Sequence, residues 1–453
     1  MTSTRQTAAT PDPSRQHEDQ PSLNTREMRR ILASSFIGSL IEYYDFLLYA
    51  TAAAIVFSQL FFTNLGPGFA AFASFGTLAA GYVARPLGGA VFGHFGDRVG
   101  RKNVLVISML TMGIATCLIG LLPTTAQIGV IAPVLLIVLR IIQGLAVGGE
   151  WGGAMLMALE HAPKKKRGFA ASFANMGAPA GAALATLAVS AVTLLPQDQF
   201  LSWGWRIPFL LSVVLVTVGL VIRLKVAETP LFRQLQDMAE AKKLPLLEVV
   251  TRNPKNLVLG IITGTSVYTI AGMVTVWAVS YAVGSGADKT GVLNAKAAAA
   301  VVMFLVVIIS ARVSDRFGRK PVMLTGMIGA AVCVFPILWL VESGTVWGFA
   351  IAVMLGQGLQ GVIFGPFGAF TAELFPTHMR YTGASLAYQS ASTLGAGFTP
   401  AIATGLVLTA GGSLTFLGTV WILAFAVAAA AILLTREGST RDLTTMRAGS
   451  GRE

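Results

Sequence analysis

A membrane-crossing helix needs about 20 consecutive, mostly apolar residues at a rise of about 1.5 Å each, and this chain meets that requirement twelve times. The runs lie near residues 31–62, 69–95, 103–122, 128–159, 168–195 and 204–224, and then near 256–284, 291–312, 320–341, 345–373, 381–409 and 413–435. Lipid offers no partner to backbone N–H and C=O groups, so each run must satisfy them internally, as a helix does. The expected fold class is therefore an all-α integral membrane protein with twelve transmembrane helices. Only 12% of the residues are charged, half of the roughly 25% usual in soluble domains. Much of that charge is gathered in residues 225–255, from Lys225 through Glu240 to Lys255, which reads as a cytoplasmic connector between two bundles, 31–224 and 256–435. The polar segments 1–30 and 436–453 read as cytoplasmic tails, the first of them disordered.

The net charge of +12 would suit nucleic acid, but its placement does not. Arg85 and Arg140 fall inside helices, and Arg206, Lys289 and Lys296 sit on one side of the spans. The remaining Lys and Arg residues of the 33 lie on the other side. That is the positive-inside pattern, which puts both termini in the cytoplasm of a multi-pass cell-membrane protein and makes the lipid bilayer, not nucleic acid, the partner of the basic residues. Cys117 and Cys333 both lie within apolar runs, so neither a disulfide framework nor a metal cluster is implied.

The two sets of six runs repeat one another. Gly96-Asp97-Arg98-Val99-Gly100-Arg101-Lys102 after the second run returns as Ser314-Asp315-Arg316-Phe317-Gly318-Arg319-Lys320 after the eighth. Gln143-Gly144 returns as Gln357-Gly358, and Glu160 with Pro163 and Arg167 returns as Glu373 with Pro376 and Arg380, all at nearly one offset. Two homologous six-helix halves follow, pseudo-symmetric, with a substrate path expected at their interface.

The loop Gly93-x-x-x-Asp97-Arg98-x-Gly100-Arg101-Lys102 and its second copy resemble the signature of the major facilitator superfamily. More narrowly, Ile41-Glu42-Tyr43-Tyr44-Asp45-Phe46, Ala84-Arg85-Pro86-Leu87-Gly88-Gly89, the run Gln143 to Ala154 with Gly149-Glu150-Trp151-Gly152, Trp205-Arg206-Ile207-Pro208-Phe209 and Glu228-Thr229-Pro230-Leu231-Phe232 resemble the metabolite:proton symporters of that superfamily. Tyr43 stands where that family often has Trp, and Ala311 where the second loop would carry its leading Gly. The resemblance implies a proton-driven symporter that imports small organic acids or osmolytes by alternating access, with no cofactor beyond the coupling protons. It also implies that Asp97 meets the start of the eleventh helix.

The charges within the spans carry the functional reading. A single charge at the centre of a membrane helix costs about 2.5 to 3.5 kcal/mol on an insertion scale, and such groups are functional by default. Glu42, Asp45, Arg85, Arg140 and Glu150 all fall in the first half. Residues counted inward along each run put Glu42 roughly 16 Å and Asp45 roughly 21 Å from the start of theirs, with Arg140 near mid-membrane. Arg85 and Glu150 lie lower, roughly 24 Å and 30 Å from the opposite side. Two groupings are expected: Glu42 and Asp45 with Arg140, and Arg85 with Glu150. Lys296, Glu342 and Glu373 read as lying near span ends, so proton coupling is assigned to the first half. Asp45, the deeper carboxylate, is the expected proton carrier, with Glu42 and Glu150 also assigned to proton coupling.

A guanidinium presents paired donors that match a carboxylate, so Arg140 and Arg85 are the expected contacts of an anionic substrate; the competing assignment for each is a permanent salt bridge. Tyr44, Gln143 and Trp151 in the first half and Tyr268, Trp277, Gln357, Gln360 and Tyr388 in the second are expected to complete the pocket, against packing as the alternative. Gly93, Asp97, Arg98, Gly100 and Arg101, with Asp315 and Arg316 in the second copy, are read as the loop that sets the conformational equilibrium. Glu160, Arg167, Glu373 and Arg380 are read as gate elements. Gly144, Gly148 and Gly152, Gly177 and Gly181, and Gly361 and Gly365, spaced by four, read as close helix contacts, and Gly81 and Gly89 as room for Arg85. The chain carries no Walker loop, no metal-ligand spacing and no nucleophile with a base on one face, so it is not read as an enzyme. A monomeric symporter of a small organic acid is the expected function. An exporter or uniporter of the same fold, and a transporter-like receptor, are the alternatives, with shikimate-like acids, aromatic acids, dicarboxylates, citrate and betaines all open as substrates.

Overall fold

A computed structural model describes residues 25–99, 101–148, 155, 158–159, 162, 166–225, 245–376 and 380–438. Tail residues 1–24 and 439–453 and connector residues 226–244 lie outside the described residues. Among the described residues every regular element is helical, and the spans form the twelve helices of the fold. They are α1 (Thr25–Ile55), α2 (Pro67–Val99), α3 (Arg101–Leu121), α4 (Ile131–Val147), α5 (Arg167–Val192) and α6 (Ile207–Lys225). In the second half they are α7 (Pro254–Ala271, continuing to Gly284), α8 (Lys289–Phe317), α9 (Arg319–Glu342), α10 (Val346–Glu373), α11 (Arg380–Ser392, continuing to Thr409) and α12 (Leu414–Leu434).

The helix ends differ from the apolar runs where composition is silent about backbone. Helix α1 begins at Thr25, inside the segment expected to be a disordered tail, because Arg26, Glu27, Met28, Arg29 and Arg30 are good helix formers that extend the apolar helix. It ends at Ile55 rather than Phe62, where Val56 leaves helical geometry at φ −123°. Two spans contain π-helical turns that no sequence signal marked, Gly272–Trp277 within α7 and Thr393–Gly397 within α11. The turn between α8 and α9 is made by Gly318 at φ +95°, a left-handed backbone conformation that side-chain-bearing residues rarely adopt. At the start of α6 Arg206 donates to Gly120 O (2.9 Å) and Leu122 O (2.6 Å), which fills carbonyls left open at the end of α3.

Glycines set the helix spacing. A Cβ on Gly144 would stand 1.9 Å from Gly81 O, and one on Gly148 2.2 Å from Arg85 O, so α2 and α4 touch backbone to backbone. Gly181 makes the same approach to Leu40 O in α1, at 2.5 Å. A Cβ on Gly361 would stand 3.2 Å from Met303 O, and one on Gly365 2.7 Å from Val307 O, both in α8. The expected role of Gly81 and Gly89 is corrected: Gly81 makes room for the side chain of Arg140, whose Nε would be 2.5 Å from its Cβ, and Gly89 faces Gly148 O. Outward, Leu87, Ile114, Val332 and Leu433 are exposed, as lipid contact requires, and Trp203, Trp339 and Trp347 are exposed where α6 and α10 begin and α9 ends.

The halves meet where α5 packs on α8 and α10, and where α2 packs on α11. Asn175 on α5 donates to Phe364 O on α10 at 2.9 Å, and Thr393 on α11 donates to Tyr82 O on α2 at 2.7 Å.

Candidate functional site

The centre of the molecule is built on one face of α1. Glu42, Asp45, Phe46 and Tyr49 follow at spacings of three and four, so their side chains stack along that face. Arg85 from α2 and Arg140 from α4 both lie against the ring of Phe46, their guanidinium carbons 3.7 Å and 3.9 Å from its centroid. Arg85 also lies 4.6 Å from the ring of Tyr82, and Arg140 4.0 Å from that of Tyr49. Such contacts stabilise a cation by about 0.5 to 2 kcal/mol, more as water is excluded.

The ion pairing differs from the expected groupings. Glu42 lies 3.9 Å from Arg85, not with Arg140, and both partners are only 2% exposed. Side chains on a helix lean toward its N-terminus. Since α1 and α2 run in opposite directions, Glu42 and Arg85 lean toward each other, which a count of Cα heights leaves out. Arg140 instead donates through Nη1 to Gln143 Oε1 at 3.1 Å, and Gln143 Nε2 donates to Thr116 Oγ1 at 2.7 Å. Asp45 accepts from Ser212 Oγ on α6 at 2.6 Å. Asp45 and Arg140 therefore share one polar interior in which neutral side chains stand between them. Glu150, the expected partner of Arg85, lies outside the described residues, as do Trp151 and Gly152.

Between the halves lies a cavity lined by Tyr43 and Tyr82 of the first half and by Tyr268, Lys296, Gln357 and Gln360 of the second, among smaller apolar residues. Both π-helical turns reach it, through Gly272, Thr275 and Val276 in α7 and Ala396 in α11. Of the expected pocket residues, Tyr268, Gln357 and Gln360 line it, and Gln357 Nε2 donates to Gln360 Oε1 at 3.1 Å. Tyr388 stands behind the wall: its hydroxyl is hydrogen-bonded to that of Tyr43, and its ring meets Tyr268 edge-on at 5.5 Å. Trp277 is buried against Tyr281, away from the lining. Tyr44 points to α6, where its hydroxyl donates to Pro208 O at 2.8 Å. Arg85 and Arg140 do not line this cavity.

Lys296 departs most from expectation. Read from the sequence as lying near a span end, it is 3% exposed, lines the cavity, and donates to Thr51 Oγ1 on α1 at 2.8 Å. It sits about 10 Å along α8 from Lys289, a shallow position that would be exposed on a lone helix and is enclosed here because α5 and α10 pack along α8 and Thr51 of α1 reaches its ammonium.

A second polar centre closes one end of the seam between the halves. The carboxylate of Asp315 accepts from the backbone of Gly168 and Phe169, each at 2.9 Å, at the first turn of α5. Arg319 donates to Asp315 at 2.7 Å and lies 3.4 Å from Glu373. Glu437 accepts from the backbone of Arg319 and of Lys320, each at 3.0 Å. Arg319 was absent from the expected residues although Arg101, its counterpart in the first copy, was among them; carrying the repeat through one more position identifies it. Arg316 is exposed, and Arg380 is buried. Arg167 begins α5. In the first copy Gly93, Asp97 and Arg98 are helical in α2 and Arg101 begins α3, while the side chains of Asp97, Arg98 and Arg101, together with Gly100 and Glu160, lie outside what the structure describes. The contact implied for Asp97 at the start of α11 is thus seen only in its counterpart, Asp315 at the start of α5.

Known proteins place this geometry. The chain is 43% identical over 392 residues to the inner membrane metabolite transport protein YhjE of Escherichia coli (strain K12), covering 85% of this chain and 88% of that one. It is 39% identical over 398 residues to the shikimate transporter of the same organism, covering 86% and 90%. Its fold superposes on the proton:xylose symporter XylE bound to 6-bromo-6-deoxy-D-glucose with a TM-score of 0.72 at 18% identity, over 91% of this chain and 97% of that one. The family described as Major Facilitator Superfamily matches residues 35–400 and 297–449. The chain belongs to the Major Facilitator Superfamily and is a multi-pass membrane transporter, not an enzyme.

Proposed function

We propose that the protein is a proton-coupled symporter that imports a small organic acid by alternating access, as a monomer with both termini in the cytoplasm. The observation that carries this reading is the buried cluster around Phe46, in which Glu42 and Asp45 on one helix face two guanidiniums, those of Arg85 and Arg140. With both carboxylates ionised, this set of four groups is neutral. A proton on either leaves one uncompensated positive charge in a low-dielectric interior, a costly state unless an anion enters nearby. A substrate carboxylate in the adjoining cavity supplies that anion. Proton and anion then load together, and the loaded carrier crosses with the same net charge as the empty one.

Asp45 is the proton carrier in this scheme, because Ser212 donates to Oδ1 while the buried Oδ2 has no well-aligned donor among the described residues. Glu42 holds Arg85, and Arg140 with Gln143 relays the change in charge to the cavity wall. The end latch of Asp315, Arg319 and Glu373 closes one side of the seam and must open once per cycle. The shikimate transporter among the relatives supports an organic acid as the substrate.

The test is uptake of labelled shikimate, benzoate and citrate into proteoliposomes containing the purified protein, with the interior made alkaline. The proposal expects at least one acid to accumulate above its external concentration, and to stop accumulating when the pH gradient is collapsed. Accumulation of none of them, or uptake that only equilibrates whatever the gradient, rejects it.

A further inference from the structure

The cavity between the halves has one charged lining residue among the described residues, Lys296, and the two arginines expected to hold an anionic substrate are elsewhere. The guanidiniums of Arg85 and Arg140 are covered by Phe46, Tyr82 and Tyr49. Among the described residues the ammonium of Lys296 has one hydrogen-bond partner, the neutral hydroxyl of Thr51. Among the described residues no carboxylate lies within salt-bridge distance of it. A lysine that is 3% exposed in a membrane protein is costly unless paired, and a permanent structural role would provide the pair. An ammonium left with a single exchangeable hydrogen bond, lining a cavity, is suited to receive an anion from that cavity.

We propose that Lys296 is the residue that binds the substrate carboxylate. This assignment rests on the organic-acid reading above and adds to it the residue that reads the anion. The chemistry of the remaining wall gives the substrate class. Tyr82 and Tyr268 present aromatic surface for a flat or cyclic body, and Gln357 and Gln360 offer amide donors and acceptors for hydroxyl groups. A small cyclic or aromatic monocarboxylate fits that set, with its carboxylate on Lys296 and its far edge toward the glutamines. Thr51 holds the ammonium in the empty carrier and yields it when the acid enters. Because Thr51 is on α1 and Lys296 on α8, the exchange takes place across the interface that alternating access must rearrange.

The experiment compares dissociation constants, from ligand-induced shifts in melting temperature, for shikimate, benzoate and citrate and for the methyl ester of whichever acid binds best. Wild type is expected to bind that acid at least tenfold more tightly than its ester. Lys296→Gln is expected to weaken the acid at least tenfold and to bind acid and ester about equally. Lys296→Arg, which keeps the charge, is expected to retain the preference for the acid. Where the Gln variant yields no folded protein, Lys296→Met carries the same comparison. If the neutral variant keeps both the affinity and the preference for acid over ester, the carboxylate is read elsewhere and the assignment is overturned, with the organic-acid reading intact. If none of the acids binds wild type, both fall together.

Discussion

Two charged centres in this protein are built on opposite plans. At the seam's end, Asp315, Arg319 and Glu373 are joined by short polar contacts of 2.7 to 3.4 Å, and Asp315 also takes two backbone N–H groups at the start of α5. At the middle, Glu42 and Arg85 are 3.9 Å apart, and both guanidiniums rest on aromatic rings. The first arrangement is a directional hydrogen-bonded network, which suits a latch that is either made or broken. The second holds its charges by ring faces and a long contact, which lets a proton or an anion change the balance without a network being dismantled. Buried charge in this fold is thus of two kinds: one fixes a conformation and the other registers a load.

The largest effect is expected at the central cluster. Arg85→Ala removes the cation beside a buried carboxylate, and loss of one partner of such a pair costs about 3 to 5 kcal/mol. A large drop in melting temperature is expected, with much of it restored when Glu42→Gln is added. A single variant as stable as wild type would show that the 3.9 Å pair does not hold the charges. Next, Asp315→Asn keeps the shape but loses the charge on the first turn of α5, where a carboxylate at a helix N-terminus gives about 0.3 to 2 kcal/mol. Spin labels on the exposed ends of α5 and α8 should report a longer distance in a larger fraction of molecules, with a fall in melting temperature smaller than that of Arg85→Ala because Arg319 keeps Glu373 as a partner. An unchanged distance distribution would remove the latch. Smallest is Tyr43→Phe, which deletes one hydroxyl contact with Tyr388 across the halves, worth about 1 kcal/mol. It is expected to alter the uptake rate only a few-fold and to leave the gradient dependence unchanged.

The fold was largely legible in the sequence because lipid forces each span to declare itself in composition, and because Asp97 and Asp315, or Gln143 and Gln357, mark the duplication. The site was less so. Height along a helix can be counted, but the pairing of Glu42 with Arg85 depends on which way side chains lean on antiparallel helices. The enclosure of Lys296 has no mark in the sequence, since a shallow position along a helix is buried or exposed according to its neighbours, here α5 and α10 packed along α8. The π-helical turns in α7 and α11 left no mark in residue type that distinguishes them from ordinary helix.

The claim that the central cluster couples a proton to an acid rests most directly on Asp45. In proteoliposomes with an alkaline interior, wild type is expected to concentrate the labelled acid, while Asp45→Asn brings it only to equal concentrations on both sides. Accumulation by the Asn variant to the wild-type level would contradict the account.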